Sequence, residues 1–209
     1  MQHISEKDLN DFSSRIEYLR NFIGFTTSDA AALHAAKDVI APLLPAVVDA
    51  VYQKLLSFDI TAKSFVPHQS GYTGETPTDT KLSDLSQEHP HIIFRKNFLT
   101  GYLVKLVTMD YAKAESWEYL DKVGLMHTGK AEFGHRFVFC PTRFLFLLTC
   151  QLYRVSKPAL RVEYTHCSIL LGYVEDILIN AVITHPSLDI ATKNTVVRAA
   201  NKVSDGWAL

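Results

Sequence analysis

Apolar residues recur along this chain at spacings of three and four, the period of helices with one face turned inward. The first stripe, Leu9, Phe12, Ile16, Leu19 and Ile23, predicts a helix over 5–22. Gly24 and the run Thr26-Thr27-Ser28-Asp29 interrupt it and offer an N-cap to the next helix. That second helix carries Ala32, Leu33, Ala36, Val39 and Ile40 and is expected to stop near Pro42. A third, over 43–56, presents Val47, Val48, Val51, Leu55 and Leu56, with Pro45 in its first turn, where a missing N–H costs little. Residues 59–65 read as a short helix.

Segment 67–88 holds most of the turn chemistry in the chain, and connections this long inside a compact domain tend to be functional or mobile. Neither side of it looks self-contained, so one domain over 1–209 is expected. From Glu88 onward, Ile92, Ile93, Phe94, Phe98, Leu99, Tyr102, Leu103, Leu106 and Val107 leave only a narrow polar remainder, which marks a helix buried on several sides. Another helix is predicted over 114–126. Two long ones follow over 141–156 and 160–183, parted by Pro158, and a shorter terminal helix over 190–203. Residues 135–140 alternate like a strand but have no partner strands, so they are expected to be irregular or helical. The fold class is all-α.

Composition sharpens this picture. Of 209 residues, 47% are hydrophobic and 21% charged, enough apolar material for a substantial core. A net charge of -1 leaves no electrostatic footprint for nucleic acid or an anionic membrane, so neither is expected as a partner. The N-terminus lacks the apolar stretch of a secretory signal. The longest apolar runs fall short of the roughly 20 residues that span a bilayer. Cys140, Cys150 and Cys167 form no zinc-type spacing and read as buried, reduced thiols, which suits a cytoplasmic protein.

Common hydrolase and nucleotide-binding motifs are absent: there is no P-loop, no GxGxxG and no GxSxG. His89 and His91 lie two apart, on different helix faces, and are expected to be solvated or capping residues. The informative stretch is WEYLDKVGLMHTG, from Trp117 to Gly129. On a helix, Trp117, Leu120, Val123 or Gly124, and His127 share one face, so an imidazole ends an apolar stripe. Spacing alone favours a hydrogen-bonded core histidine over a ligand.

Four segments together are more specific. VGLMHTG resembles the hydrophobic-Gly-x-x-His motif that carries the proximal haem ligand in globin-coupled sensors and protoglobins. RIEYLRNFIGFTTSDAAAL, residues 15–33, is similar to that family's extra N-terminal helix and the turn after it. VVDAVYQKLL, residues 47–56, resembles the helix ending in an aromatic-Tyr pair over the distal haem face. FRKNFLTGYLVKLVTMDY, residues 94–111, resembles the helix that crosses that face. Each motif is short. Their weight comes from collinear order across nearly the whole chain.

The resemblance implies a globin-like helical sandwich with an extra N-terminal helix and a short terminal helix, binding haem b. It makes His127 the proximal iron ligand and Tyr52 the distal hydrogen-bond donor to a diatomic gas. Val51, Phe65, Phe98, Leu99, Leu103, Val123 and Phe137 become candidate pocket residues, each equally compatible with ordinary packing. Gly124 would let a porphyrin approach its helix, or serve a helix contact. Lys96, Lys130 and Arg136 are candidates for the haem propionates, and each also reads as a surface charge. Val51 stands where relatives often carry an aromatic, and Phe137 where the sensors often carry Tyr. The proline after the proximal histidine also comes late, at Pro141.

The functions implied are a sensor or carrier of dioxygen, carbon monoxide or nitric oxide, working as a homodimer through the last two long helices. No methyl-accepting, cyclase or kinase region is recognisable, so a sensor's output is expected on a separate signalling partner. Two alternatives stand beside this. One is a haem enzyme acting on nitric oxide, nitrite or peroxide with an external reductant. The other is a haemless globin-like module that binds partners, against which His127 and Tyr52 together argue.

Overall fold

In a computed structural model that describes residues 3–67, 72–74, 80–128 and 164–205, every regular element is helical. The helix expected over 141–156, the strand-like 135–140, and Lys130, Arg136, Phe137, Cys140 and Cys150 lie outside the described residues.

Helix α1 spans Phe12–Ile23, after a short 3-10 turn at Asp8–Asn10. The Asp11 carboxylate caps it, accepting from the Ser14 N–H at 2.9 Å. It ends at Gly24, whose φ of +63° is the left-handed conformation that closes many helices. There the Phe25 N–H reaches the Arg20 carbonyl at 2.8 Å and the Gly24 N–H reaches Asn21 at 3.2 Å. The Thr26 N-cap is also realised: its N–H and hydroxyl both donate to the Asp29 carboxylate, at 2.7 and 2.8 Å.

Pro42 does not end the second helix as the sequence suggests. Helices α2 (Thr27–Ala35), α3 (Lys37–Ile40) and α4 (Leu44–Leu56) follow one another with only Ala36 and a 3-10 turn at Ala41–Leu43 between them. The joining residues Ala36, Ala41 and Leu43 all keep right-handed helical angles. The fixed φ of proline is itself helical, and its missing N–H removes one bond and tightens the ladder rather than stopping it. The run Thr27–Leu56 is therefore long and apolar enough to span a bilayer by length and composition. Its buried residues, Leu33, Ile40, Leu44, Val47, Val48 and Val51, nevertheless pack against other helices of the fold.

Beyond it come α5 (Asp59–Ala62), a 3-10 turn at Lys63–Phe65, α6 (Pro90–Leu106), α7 (Ala114–Thr128), α8 (Tyr164–Thr184) and α9 (Ile190–Asp205). Helix α4 lies on α6 and α8, while α9 lies on α2 and α8. On α9 the stripe Val196, Ala199 and Val203 is almost sealed, at 1%, 0% and 3% exposure. Two clusters result. One joins α3, α4, α6, α8 and α9 through residues such as Leu44, Val51, Ile92, Leu103 and Val182. The other gathers Ile16, Phe25, Leu33, Tyr111, Trp117, Leu120 and Ala199, and Tyr102 and Leu106 pack against both. Two ion pairs tie distant segments over these clusters: Arg15 to Asp121, and Lys202 to Asp29.

Candidate functional site

Helix α4 brings Val51 and Tyr52 to the heart of the first cluster, at 0% and 6% exposure. The Tyr52 ring packs on Phe65, with centroids 5.7 Å apart. Among the described residues its hydroxyl has no hydrogen-bond partner. Burial pushes the phenol well above the ordinary tyrosine range, only partly opposed by the Arg95 charge, so it stays protonated and able to donate. Tyr52 therefore keeps a hydrogen-bond donor that the described residues do not use.

The walls around it are apolar. Leu99 and Leu103 of α6 join Val51, Tyr52 and Phe65 in one cluster, and Leu103 is 6% exposed. Phe98, from the same list of expected pocket residues, sits at the surface of α6, 37% exposed. Two cations of α6 differ in their surroundings. Lys96 donates to the Asp49 carboxylate of α4 at 2.9 Å, which ties it to a partner within the fold. Arg95 is half-buried, and its charge is felt at Tyr52; burial draws its pKa down while Tyr52 opposes that shift.

On α7 the apolar stripe is present as expected: Trp117, Leu120 and Val123 are 4%, 1% and 8% exposed, and Gly124 is half-buried. The Trp117 indole N–H donates to the Tyr111 carbonyl at 2.8 Å, fixing the start of the helix. Helix α7 continues to Thr128, which places His127 on it one turn beyond Val123. The His127 side chain lies outside the described residues, as does Phe137.

His89 caps α6 as expected, its Nδ1 accepting from the His91 N–H at 3.2 Å. Its neighbour His91 is a correction to the sequence reading. It is neither solvated nor capping but 1% exposed, with Nδ1 3.2 Å from the carbonyl oxygen of Phe65. No periodic signal could have found it, because its cover comes from chain folded back from 26 residues earlier.

Among the described residues, the Tyr52 phenol and the apolar walls around it are compatible with a haem-type pocket, and His127 lies on α7. The helices also define a class, an all-α, globin-like fold. Over 90% of this chain and 90% of the other, it superposes on the globin domain of the Geobacter sulfurreducens globin-coupled sensor, with a TM-score of 0.58 and 14% sequence identity. Residues 12–205 match the protoglobin family, and the chain belongs to it. A comparison with curated protein sequences finds no match.

Proposed function

We propose that this protein binds haem b between α4, α6 and α7 and uses it to take up a diatomic gas reversibly, as a sensor or carrier. The observation that carries this reading is Tyr52, 6% exposed and with a hydroxyl that finds no partner among the described residues, in a chain of the protoglobin family. Haem iron held by a single histidine supplies an open coordination position for dioxygen, carbon monoxide or nitric oxide. The neutral imidazole of His127 would be its protein ligand. Tyr52 would donate a hydrogen bond to the gas on the opposite face, and in a low-dielectric pocket such a bond counts for more than in water. Val51, Phe65, Leu99, Leu103 and Val123 would keep water out, with Phe98 nearer the rim. A second copy of the chain, docked through segments 141–156 and 160–183, belongs to the same reading, as does a separate signalling partner.

Absorption spectra of the purified protein in ferric, ferrous and carbon monoxide-bound forms test it. A Soret band that shifts with oxidation state and with carbon monoxide is expected. Protein that takes up no haem on titration with hemin would overturn the reading in favour of a haemless module.

A further inference from the structure

We propose that His91 is a positioning residue for the distal tyrosine: it holds the Phe65 main chain, and Phe65 in turn sets the direction of the Tyr52 phenol. In its link to haem this rests on the function proposed above.

The argument begins with hydrogen-bond chemistry. The Phe65 carbonyl can only accept, so the Nδ1 of His91 facing it at 3.2 Å carries the hydrogen. That bond joins the 3-10 turn at Lys63–Phe65 to the first turn of α6, two stretches that local structure does not bring together. The imidazole is held in plane for it. Tyr72 meets the ring edge-on at 5.2 Å and His89 at 5.0 Å, and the residue is 1% exposed. The second link is aromatic: Phe65 lies 5.7 Å from Tyr52 at an interplanar angle of 51°. Tyr52 has no hydrogen bond of its own among the described residues, so its ring takes its direction from the apolar groups packed on it, Phe65 among them, with the Arg95 charge nearby. Moving Phe65 therefore moves the phenol. This gives a task to part of the long 67–88 segment, since Tyr72 is one of the rings that aim His91.

The test follows the Tyr52 resonance by fluorine NMR in protein labelled with 3-fluorotyrosine, assigned by its loss in Tyr52→Phe. This needs no haem. His91→Phe keeps a ring but removes the donor, and the Tyr52 signal is expected to shift or broaden. His91→Asn returns an N–H near the position of Nδ1 and is expected to restore it. Phe65→Leu, which keeps the carbonyl but loses the ring, is expected to move the signal too, and adding His91→Phe to it to change little more. In the hemin-loaded protein, His91→Phe is expected to raise the dioxygen dissociation rate by about tenfold, the worth of one ordinary hydrogen bond. An unmoved Tyr52 signal in His91→Phe, or equal effects of Phe and Asn, would overturn the proposal. Failure of the wild-type chain to bind hemin would overturn the haem reading instead, and the fluorine arm would still decide this one.

Discussion

Arg15 of α1 and Asp121 of α7 meet at 3.0 Å across the molecule, and the arginine side chain is only 5% exposed. The pair fastens the N-terminal helix to the helix that bears His127, six residues beyond Asp121. Removing one partner of a buried pair strands the other charge. Asp121→Ala is therefore expected to cost about 1–3 kcal/mol, because a guanidinium 5% exposed loses its carboxylate while keeping its contact with the Leu9 carbonyl. Arg15→Met should cost less, since Asp121 is 25% exposed and can be hydrated. Urea unfolding of both variants checks the ranking, and equal losses would show that charge burial does not set it.

The unused hydroxyl of Tyr52 makes a contrasting prediction. Tyr52→Phe should leave stability nearly unchanged, because no bond within the described protein is lost. Dioxygen release should accelerate by about tenfold while carbon monoxide release changes little, because the less polarised gas gains less from a donor. Stopped-flow measurements decide it; an unchanged dioxygen off-rate would mean that the phenol points elsewhere.

His127→Ala should abolish haem retention while the far-ultraviolet circular dichroism stays helical. Haem retained in full and five-coordinate in that variant would sink the ligand assignment.

Asp29 offers a pH-dependent case. Burial raises its carboxyl pKa, but hydrogen bonds from Lys202 and Thr26 outweigh that and leave it below the ordinary value near 3.8. A depressed folded-state pKa stabilises above the unfolded value and is lost as pH falls through the folded one. Asp29→Asn should therefore be less stable than wild type at pH 7, with the gap closing below about 3.8. Thermal unfolding from pH 7 to pH 3 follows it; a gap that widens in acid would reverse the sign.

Two glycines should respond in opposite directions. Gly24 has φ +63°, so Gly24→Ala is strained although nothing lies within 4 Å of the new Cβ, and it should cost about 1 kcal/mol. Gly101 is exposed within α6 and equally open, so Gly101→Ala should stabilise by about 0.5–1 kcal/mol. Parallel denaturation curves test the pair.

What the sequence revealed follows from the range of the forces involved. Helical stripes, the Thr26 cap and the apolar face of α7 are local patterns, and Trp117, Leu120 and Val123 are buried as their spacing predicts. Pro42 misled because its ring fixes an angle that a helix also uses, so a stop signal and a tightening of the ladder look alike. Arg15 and His91 were illegible for another reason. Each is polar by type and bonds to a partner 106 or 26 residues away, which no windowed pattern contains. For the proposed site, resemblance suggested Tyr52 and His127, and packing shows that the phenol has no hydrogen-bond partner among the described residues.

The union of α2 with α9 bears on how the molecule is made. Lys202 reaches back 178 residues to the Gly24 carbonyl and grips Asp29 beside it, while Val196, Ala199 and Val203 roof the apolar face beneath. A chain emerging from the ribosome presents Thr27–Leu56 early, and its roof arrives only after about 150 further residues have been synthesised. During that interval the face of α2 that carries Ala32 and Leu33 lacks the packing that Ala199 and Val203 later give it.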